Sequence, residues 1–212
     1  MAQHDYIANR TGLLLVDPYN EFLSDRGKLW PDVKAVAESV ELLQHLRALV
    51  EAARRTGIAV FYVPHRRWCE GDYDGWRHPG PWQILTDRGA VFAEGTWGGE
   101  WHPELAPQPG DIVVQSHWGQ SGFASTDLDF QLKLRGIEKI IVIGMAANTC
   151  IEATARGGAE LGYHMTLVRD ATAAFSPEAM HAAHEINGPT FAHAILTTAA
   201  VIAAMVGPVA SP

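Results

Sequence analysis

Residues 139–162 read KIIVIGMAANTCIEATARGGAELG, and this stretch decides the fold class. Residues 139–143 are apolar after the first lysine, and Gly144 ends the run. Apolar residues at consecutive positions are typical of a parallel strand that is buried on both faces of a sheet. A helical pattern then runs from Cys150 and stops at Gly162. The stretch therefore predicts a buried strand, a turn and a helix.

The same alternation extends in both directions along the chain. Further apolar runs predict strands at 12–16, 58–63, 111–115 and 165–168, with a sixth candidate at Ala194–Leu196. Helical patterns predict one helix between Val33 and Val50, which stops before Gly57, and others at 127–134, 150–161 and 177–186. Strands that alternate with helices predict an α/β fold, a three-layer, doubly wound arrangement around a mostly parallel six-stranded sheet.

Residues 65–109 interrupt this alternation and form an aromatic-rich insert in the single domain that we predict for residues 1–212. Five tryptophans and a tyrosine lie in it among many Gly and Pro residues: Trp68, Tyr73, Trp76, Trp82, Trp97 and Trp101. A long segment without regular structure is typically a functional loop or a packing insert. The tryptophans therefore either line a small-molecule pocket or seal a subunit contact or the edge of the sheet.

Composition excludes several classes of protein and partner. Of 212 residues, 47% are hydrophobic and 19% are charged, which is typical of a globular protein and not of a disordered or fibrous one. Sixteen Lys and Arg against 24 Asp and Glu give a net charge of -8 without a basic cluster, so we expect no nucleic-acid partner. Residues 191–206 are too few to span a bilayer, so we expect no membrane partner. The N-terminus lacks an apolar signal segment and there are two cysteines, so we expect a cytoplasmic protein.

Residues with reactive side chains follow several of the predicted strands. Asp17 follows the first strand, His65 the second, Gln115 and His117 the third, and Cys150 the fourth. In open α/β sheets, ligands bind beyond the carboxyl ends of the strands, so these side chains can meet in one crevice. A cysteine that opens a helix is favoured as a thiolate, and the helix N–H groups can bind an oxyanion. Taken alone, Cys150 is equally a small buried residue, Asp17 a turn residue and His117 a packing residue.

Three motifs resemble those of isochorismatase-like cysteine hydrolases. They are LLVDPYNEF at 14–22, SGFASTDL at 121–128 and IGMAANTCIEAT at 143–154, and Asp170 with Ala171 also matches. The motifs occur in the order and at the distances of that family, and the resemblance covers almost the whole chain outside the aromatic insert. It implies the isochorismatase-like fold and a hydrolase of non-peptide C–N bonds.

The resemblance also implies roles for individual residues. Cys150 is the implied nucleophile that attacks an amide or ureido carbonyl and forms a thioester, and Asp17 accepts the thiol proton and passes it to the leaving amine. A cis peptide is implied at Met145–Ala146, and the N–H groups of Ala146 and Cys150 form the implied oxyanion hole. No cofactor is implied, and relatives of this kind are commonly dimers or tetramers, so we expect a homo-oligomer.

The chain departs from the family pattern at one catalytic position. The family has a lysine there, and the third predicted strand places that position at Gln115, whereas counting back from the motif at 121–128 places it at His117. Either His117 replaces the lysine, or Gln115 orients the substrate as an amide, or the chain is a weakened variant. The rival hypothesis is therefore a non-catalytic or weakened small-molecule-binding homologue. Vinyl-ether hydrolysis, the reaction of isochorismatase itself, needs no cysteine, and the intact Cys150 motif argues against it.

The sequence also carries expectations about the kind of substrate and about a metal site. Flat apolar walls suit a planar amide or ureide, and the candidate substrate-binding residues are Asn20, Phe22, Trp97, Trp118, Phe123 and Ala147. Some family members bind zinc through an Asp-x-His pair after the second strand. Here Pro64-His65-Arg66-Arg67 follows that strand, so the sequence predicts no metal site.

Overall fold

The computed structural model describes residues 5–206, so residues 1–4 and 207–212 of the predicted single domain lie outside the described residues. Its strands are β1 (Tyr6–Ile7), β2 (Thr11–Val16), β3 (Ala59–Val63), β4 (Ile112–Val113), β5 (Lys139–Met145), β6 (His164–Ala173), β7 (Ala194–Leu196) and β8 (Met205–Val206). Six of them form one sheet in the order β4-β3-β2-β5-β6-β7, and every neighbouring pair is parallel. The predicted doubly wound, six-stranded sheet is confirmed, and β1 and β8 form a separate parallel pair.

The helices surround this sheet. They are α1 (Asn20–Leu23), α2 (Trp30–Ser39), α3 (Leu42–Thr56), α4 (Pro81–Gly89), α5 (Leu128–Leu134), α6 (Glu152–Glu160), α7 (Pro177–His181) and α8 (Thr198–Ala204). Two π-helical turns, Ala147–Ile151 and Ala182–Asn187, precede α6 and follow α7. Within residues 5–206, none of the helices combines the length and the apolar composition that a membrane crossing needs.

Side chains alternate across the central strands and produce two hydrophobic cores. Leu13 and Leu15 of β2 pack on one face with apolar residues of α2, α3 and α8. Leu14 and Val16 of the same strand pack on the other face with residues of α5 and α6. Both faces of β2 are therefore covered, which explains why its sequence is continuously apolar and produces the predicted three layers.

Several predicted elements have different bounds in the structure. The predicted helix between Val33 and Val50 is two helices, because Glu41 adopts a left-handed conformation with φ 49° between α2 and α3. The third strand is shorter than 111–115, because β4 is an edge strand that pairs with β3 only over Ile112–Val113. The strand predicted at 165–168 extends to ten residues in β6.

The aromatic insert is packed against the segment that follows β2, instead of forming an irregular loop. It contains α4 and the 3-10 turns Trp97–Gly99 and Pro103–Leu105. The N–H of Asn20 donates to the carbonyl of Glu100 at 3.0 Å, and the N–H of His102 donates to the carbonyl of Pro18 at 2.9 Å. The rings of Tyr19 and Trp101 stack with their centroids 5.0 Å apart. The insert therefore covers the carboxyl end of β2.

The strand order reverses between β2 and β5, and this is the position where open α/β sheets bind ligands. The two strands approach closely at Gly144, whose φ is 114° and where an added Cβ would lie 2.1 Å from the carbonyl oxygen of Val16. Glycine is required here by both its conformation and the space. Asp17 directly follows β2, and Cys150 lies in the turn after β5, so the reversal brings them to one place.

Candidate active site

Asp17 is held in place by backbone groups of the neighbouring strand β3 and of His65, which follows that strand. It adopts a left-handed conformation with φ 52°, which aspartate tolerates better than most residues, and its N–H donates to the carbonyl of Val63 at 3.2 Å. Its Oδ1 accepts a hydrogen bond from the N–H of His65 at 2.6 Å. Its Oδ2 is buried and has no hydrogen-bond partner among residues 5–206. One carboxylate oxygen is therefore fixed and the other remains available.

His117 lies against the fixed oxygen of Asp17 and is fully buried. Its Nε2 is 3.2 Å from Oδ1 of Asp17, and its Nδ1 is 2.8 Å from the carbonyl oxygen of Gly119. Both partners are acceptors, so each ring nitrogen donates, which describes an imidazolium. Burial opposes this charge, but the Asp17 carboxylate and the two hydrogen bonds outweigh it and raise the pKa of His117.

His65 lies beside His117 and, unlike His117, is uncharged. Its Nδ1 is 2.9 Å from the carbonyl oxygen of Arg66, and its Nε2 accepts a hydrogen bond from Nε1 of Trp82 at 3.1 Å. The ring is therefore neutral, with its proton on Nδ1. Burial, followed by the positive charge of His117, lowers the pKa of His65 to about 4. The rings of the two histidines are 5.1 Å apart, and one of them carries the charge.

Cys150 completes a cluster with Asp17 and His117. One ligand atom from each of the three residues, the thiol sulfur, a carboxylate oxygen and an imidazole nitrogen, lies within 4.8 Å of the other two. Cys150 lies inside the π-helical turn Ala147–Ile151, which runs directly into α6, so the helical segment begins three residues before Cys150. Burial, together with the negative charge of Asp17, raises the pKa of the thiol well above its ordinary value. The expected stabilisation of a thiolate is therefore overturned, because desolvation and a neighbouring anion both disfavour the charged sulfur.

The peptide bond that the resemblance implies to be cis lies just before the turn that contains Cys150. The Met145–Ala146 peptide is cis. The carbonyl of Ala146 accepts hydrogen bonds from the N–H groups of Thr149 and Ile151, each at 3.1 Å. Ala146 and the neighbouring Ala147 are buried, so the start of the turn is closed to solvent.

Gln115 lies outside this cluster. Its side chain is exposed, and its backbone N–H donates to Oδ1 of Asp127 at 2.7 Å. His117, two residues further on, forms an isolated parallel bridge with His65 and points inward. The structure therefore brings His117, and not Gln115, to the position beside Asp17.

The candidate substrate-binding residues fall into different environments. Phe22 is buried and stacks on Trp82 with ring centroids 6.5 Å apart, while Nδ2 of Asn20 donates to the carbonyl of Trp97 at 2.8 Å. The Trp97 ring is 40% exposed. Arg26 lies 4.3 Å from its centroid. Asn20 and Phe22 therefore join the insert to the segment after Asp17.

Trp118 and Phe123 follow His117 in the chain and make different contacts. Arg66 lies 4.3 Å from the centroid of the Trp118 ring. Phe123 stacks on Tyr163 with centroids 5.9 Å apart, and it packs against the glycines of α6. Phe123 is therefore part of the packing between layers, and the structure does not bring it to the cluster.

An aromatic cluster beside His65 was not anticipated as part of the site. Phe92 and Phe175 join Phe22 and Trp82 there, with centroid distances between 5.3 and 6.4 Å. Phe92 also lies 5.3 Å from the ring of His65. Phe175 follows β6 and is distant in sequence, so no local pattern could have indicated it. Trp82 belongs to the aromatic insert, but its hydrogen bond to His65 depends on the position of α4.

A cavity outside the cluster lies against α2 and α3. Its volume is about 600 Å³, and its lining includes Trp30, Glu38, Leu42 and His102. It does not include any member of the Asp17, His117 and Cys150 cluster. The cluster is closed from solvent by the surrounding residues, because all three of its side chains are buried.

Known proteins resemble this chain in sequence and in fold. The family model described as the isochorismatase domain matches residues 11–199. This range includes the aromatic insert, contrary to the expectation that the insert lies outside the resemblance. The ureidoacrylate amidohydrolase RutB of Stutzerimonas stutzeri (strain A1501) is 32% identical over 195 residues, which cover 87% of this chain and 78% of the relative.

Two solved structures are similar over most of their length. A cysteine hydrolase from Pseudomonas syringae pv. phaseolicola 1448A has a TM-score of 0.73 and 30% identity, with 94% of this chain and 93% of the other covered. The N-carbamoylsarcosine amidase from Thermoplasma acidophilum has a TM-score of 0.68 and 26% identity, with 89% and 96% covered. With the family model matching nearly the whole described fold, the chain belongs to the isochorismatase family.

Proposed function

We propose that this protein is a cysteine-dependent hydrolase that cleaves a C–N bond of a small-molecule amide or ureide through a thioester. The observation that carries the proposal is the buried cluster of Asp17, His117 and Cys150, whose ligand atoms lie within 4.8 Å of one another at the reversal of strand order. The names of two similar proteins, ureidoacrylate amidohydrolase and N-carbamoylsarcosine amidase, support this reaction class.

The first half of the proposed reaction begins with a protonated thiol. Burial and the charge of Asp17 raise the pKa of Cys150, so the sulfur needs a base. Oδ2 of Asp17 has no other partner and accepts the thiol proton while the sulfur attacks the carbonyl carbon. The tetrahedral intermediate then collapses, the C–N bond breaks, and Asp17 returns the proton to the leaving amine. The products of this half are an amine and a thioester on Cys150.

Water completes the reaction. Asp17, again a carboxylate, takes a proton from water as the oxygen attacks the thioester carbon. The C–S bond breaks, Cys150 recovers the proton, and the acid product leaves. Backbone N–H groups of Ala146 and Cys150 are the proposed oxyanion hole in both halves, and the place of both residues at the turn after β5 supports this assignment.

His117 supplies the positive charge that the family lysine supplies. Its hydrogen bond at 3.2 Å holds Oδ1 of Asp17 and leaves Oδ2 for the thiol. A unit charge at this distance is worth about 1–5 kcal/mol at effective dielectric constants between those of water and a protein surface. Gln115 is exposed and neutral, so the proposal gives it no catalytic part.

The proposed substrate is small and carries a flat group near the C–N bond. Phe22 and Trp82 stack beside His65, which supports an apolar wall next to the cluster. We assign Asn20, Ala147 and the neighbouring faces of Trp97 and Trp118 to the rim of this site. The packing of Phe123 against Tyr163 does not support a contact of Phe123 with substrate.

The alternative is a non-catalytic or weakened homologue that binds the small molecule without turnover. The absent lysine and the raised pKa of the Cys150 thiol favour it. Binding needs only the aromatic wall, whereas hydrolysis also needs the nucleophile, so one experiment separates the two.

The test is a panel of ureides and planar amides, with release of ammonia or amine as the measurement. We expect turnover by the wild type, none by Cys150→Ser, and a covalent adduct on the peptide that contains Cys150 when the reaction is quenched early. Cys69→Ala is the matched control and keeps its activity, because Cys69 donates to Glu94 in the insert. Binding without turnover by the wild type would support the alternative, and equal activity in Cys150→Ser would overturn the proposed mechanism.

We also propose that the chain is a single domain that acts in the cytoplasm as a homo-oligomer. Phe130 and Leu134, one turn apart on α5, are 63% and 67% exposed, which supports a contact between copies. Light scattering after size-exclusion chromatography measures the number of subunits. A monomer would contradict this part of the proposal.

A further inference from the structure

The same three side chains each offer one atom of a kind that binds transition metals. Asp17 offers an oxygen, His117 a nitrogen and Cys150 a sulfur, and these atoms lie within 4.8 Å of one another. Independently, Oδ2 of Asp17 has no hydrogen-bond partner although its side chain is only 1% exposed. A buried carboxylate oxygen without a partner is costly unless something binds it. We propose that this cluster binds a thiophilic divalent cation, with Zn²⁺ as the best match.

The distances suit a tetrahedral ion. Bond lengths to zinc of about 2.0–2.1 Å for nitrogen and oxygen place these ligands about 3.3 Å apart, and sulfur about 3.6 Å from either. The three ligand atoms of the cluster lie within 4.8 Å of one another, and Oδ2 is the Asp17 oxygen without a hydrogen-bond partner. A movement of the Cys150 side chain by about 1 Å closes the set. Three protein ligands leave the fourth position for water or a small molecule.

The surrounding hydrogen bonds already orient the ligands. Nδ1 of His117 donates to the carbonyl of Gly119 at 2.8 Å, so its other nitrogen is directed at the cluster. A backbone carbonyl that accepts from the distal ring nitrogen is a common partner of a metal-binding histidine. Oδ1 of Asp17 is held by the N–H of His65 at 2.6 Å. The Asp17 and His117 side chains are therefore already oriented towards the cluster, and ion binding requires the loss of one proton from His117 and one from Cys150.

Charge balance favours the bound state in this buried place. A neutral His117, a Cys150 thiolate and the Asp17 carboxylate sum to two negative charges, which one divalent cation neutralises. The protons that leave the thiol and the imidazole go to solvent. A lysine beside Asp17 would be a cation and not a ligand, so histidine at this position is the change that creates the donor set.

Metal binding goes beyond the proposed hydrolysis and opposes it. A cation bound to the Cys150 sulfur removes the nucleophile, so Zn²⁺ is expected to inhibit turnover reversibly. Because binding is measured directly, the metal site is tested whether or not a substrate has been found.

The experiment measures cation binding to the full chain after treatment with a chelator. Zn²⁺ is titrated calorimetrically against a competing chelator, and bound metal is counted by mass spectrometry after gel filtration. Co²⁺ serves as a second probe, since a cobalt–thiolate bond absorbs in the near ultraviolet. We expect one cation per chain and a thiolate absorption for the wild type. Cys150→Ser and His117→Lys are expected to weaken binding at least about 100-fold.

Controls separate this site from surface binding and from misfolding. Cys69→Ser keeps the stoichiometry and the cobalt absorption, because Cys69 lies in the insert beside Glu94. Circular dichroism and thermal melting show that the variants are folded, and His117→Lys keeps a hydrogen-bond donor beside Asp17. No one-to-one binding by the wild type, unchanged affinity in both ligand variants, or loss of binding in Cys69→Ser would each overturn the proposal.

Discussion

Nε2 of His117 lies 3.2 Å from Oδ1 of Asp17, and both side chains are almost completely buried. The two residues are 100 positions apart in the chain. Oδ2 of Asp17 is buried without a hydrogen-bond partner among residues 5–206, and the sulfur of Cys150 belongs to the same cluster. A carboxylate, an imidazole and a thiol from distant parts of the chain therefore meet at one place.

The charge of His117 can be tested by two substitutions at that position. His117→Gln removes the charge, and we expect kcat/KM to fall by about 100-fold, within the range for a unit charge at this distance. His117→Lys restores a cation and is expected to remain within about 10-fold of the wild type. Steady-state kinetics on the best substrate of the panel measures both. Equal activity of the glutamine variant and the wild type would contradict the charge role.

Removing the base should cost more in kcat than in affinity. Asp17→Asn keeps an oxygen that accepts from the N–H of His65, but an amide cannot take the thiol proton. We expect kcat to fall about 100-fold or more, with folding retained. Asp127→Asn is the matched control, because Asp127 accepts from Gln115 and Gln131 outside the cluster. A small effect of Asp17→Asn on kcat would assign the proton transfer to another group.

Trp82 is expected to act as a positioning residue through His65. Trp82→Phe keeps an aromatic ring beside Phe22 but removes the N–H that donates to Nε2 of His65. Loss of one hydrogen bond of about 1 kcal/mol predicts a decrease in kcat of roughly fivefold, with KM little changed. Trp68→Phe removes a comparable surface bond to Asp87 and serves as the control. An effect on KM alone would indicate a packing role for Trp82 instead.

Gly144 is expected to be intolerant of any side chain. An added Cβ would lie 2.1 Å from the carbonyl oxygen of Val16, in a backbone conformation with φ 114°. Gly144→Ala is predicted to destabilise the fold by about 3 kcal/mol or more, a decrease in Tm of roughly 6–12 °C for a chain of this size. Gly136→Ala, where φ is 67° and the space is open, tests the conformational cost alone. We expect a cost near 1 kcal/mol for that control, and equal melting temperatures of the two variants would contradict the role of close strand packing.

The order of strands and helices, and the meeting of Asp17 and Cys150 in one crevice, could be predicted from the sequence. Burial on both faces makes parallel strands continuously apolar, and glycines end the helices, so these signals are local. These local signals did not predict features that depend on contacts between distant elements. The left-handed Glu41 divides a periodic pattern into two helices, and pairing at the sheet edge shortens β4 to Ile112–Val113.

Only the tertiary structure decided between Gln115 and His117 as the partner of Asp17. After β4 ends, the chain turns Gln115 outward and pairs His117 with His65 of the extension of β3. The charge of each histidine then follows from its hydrogen-bond partners, a carboxylate for His117 and the indole of Trp82 for His65. These contacts join distant parts of the chain, and desolvation depends on everything packed around them, so neither is encoded in a local pattern.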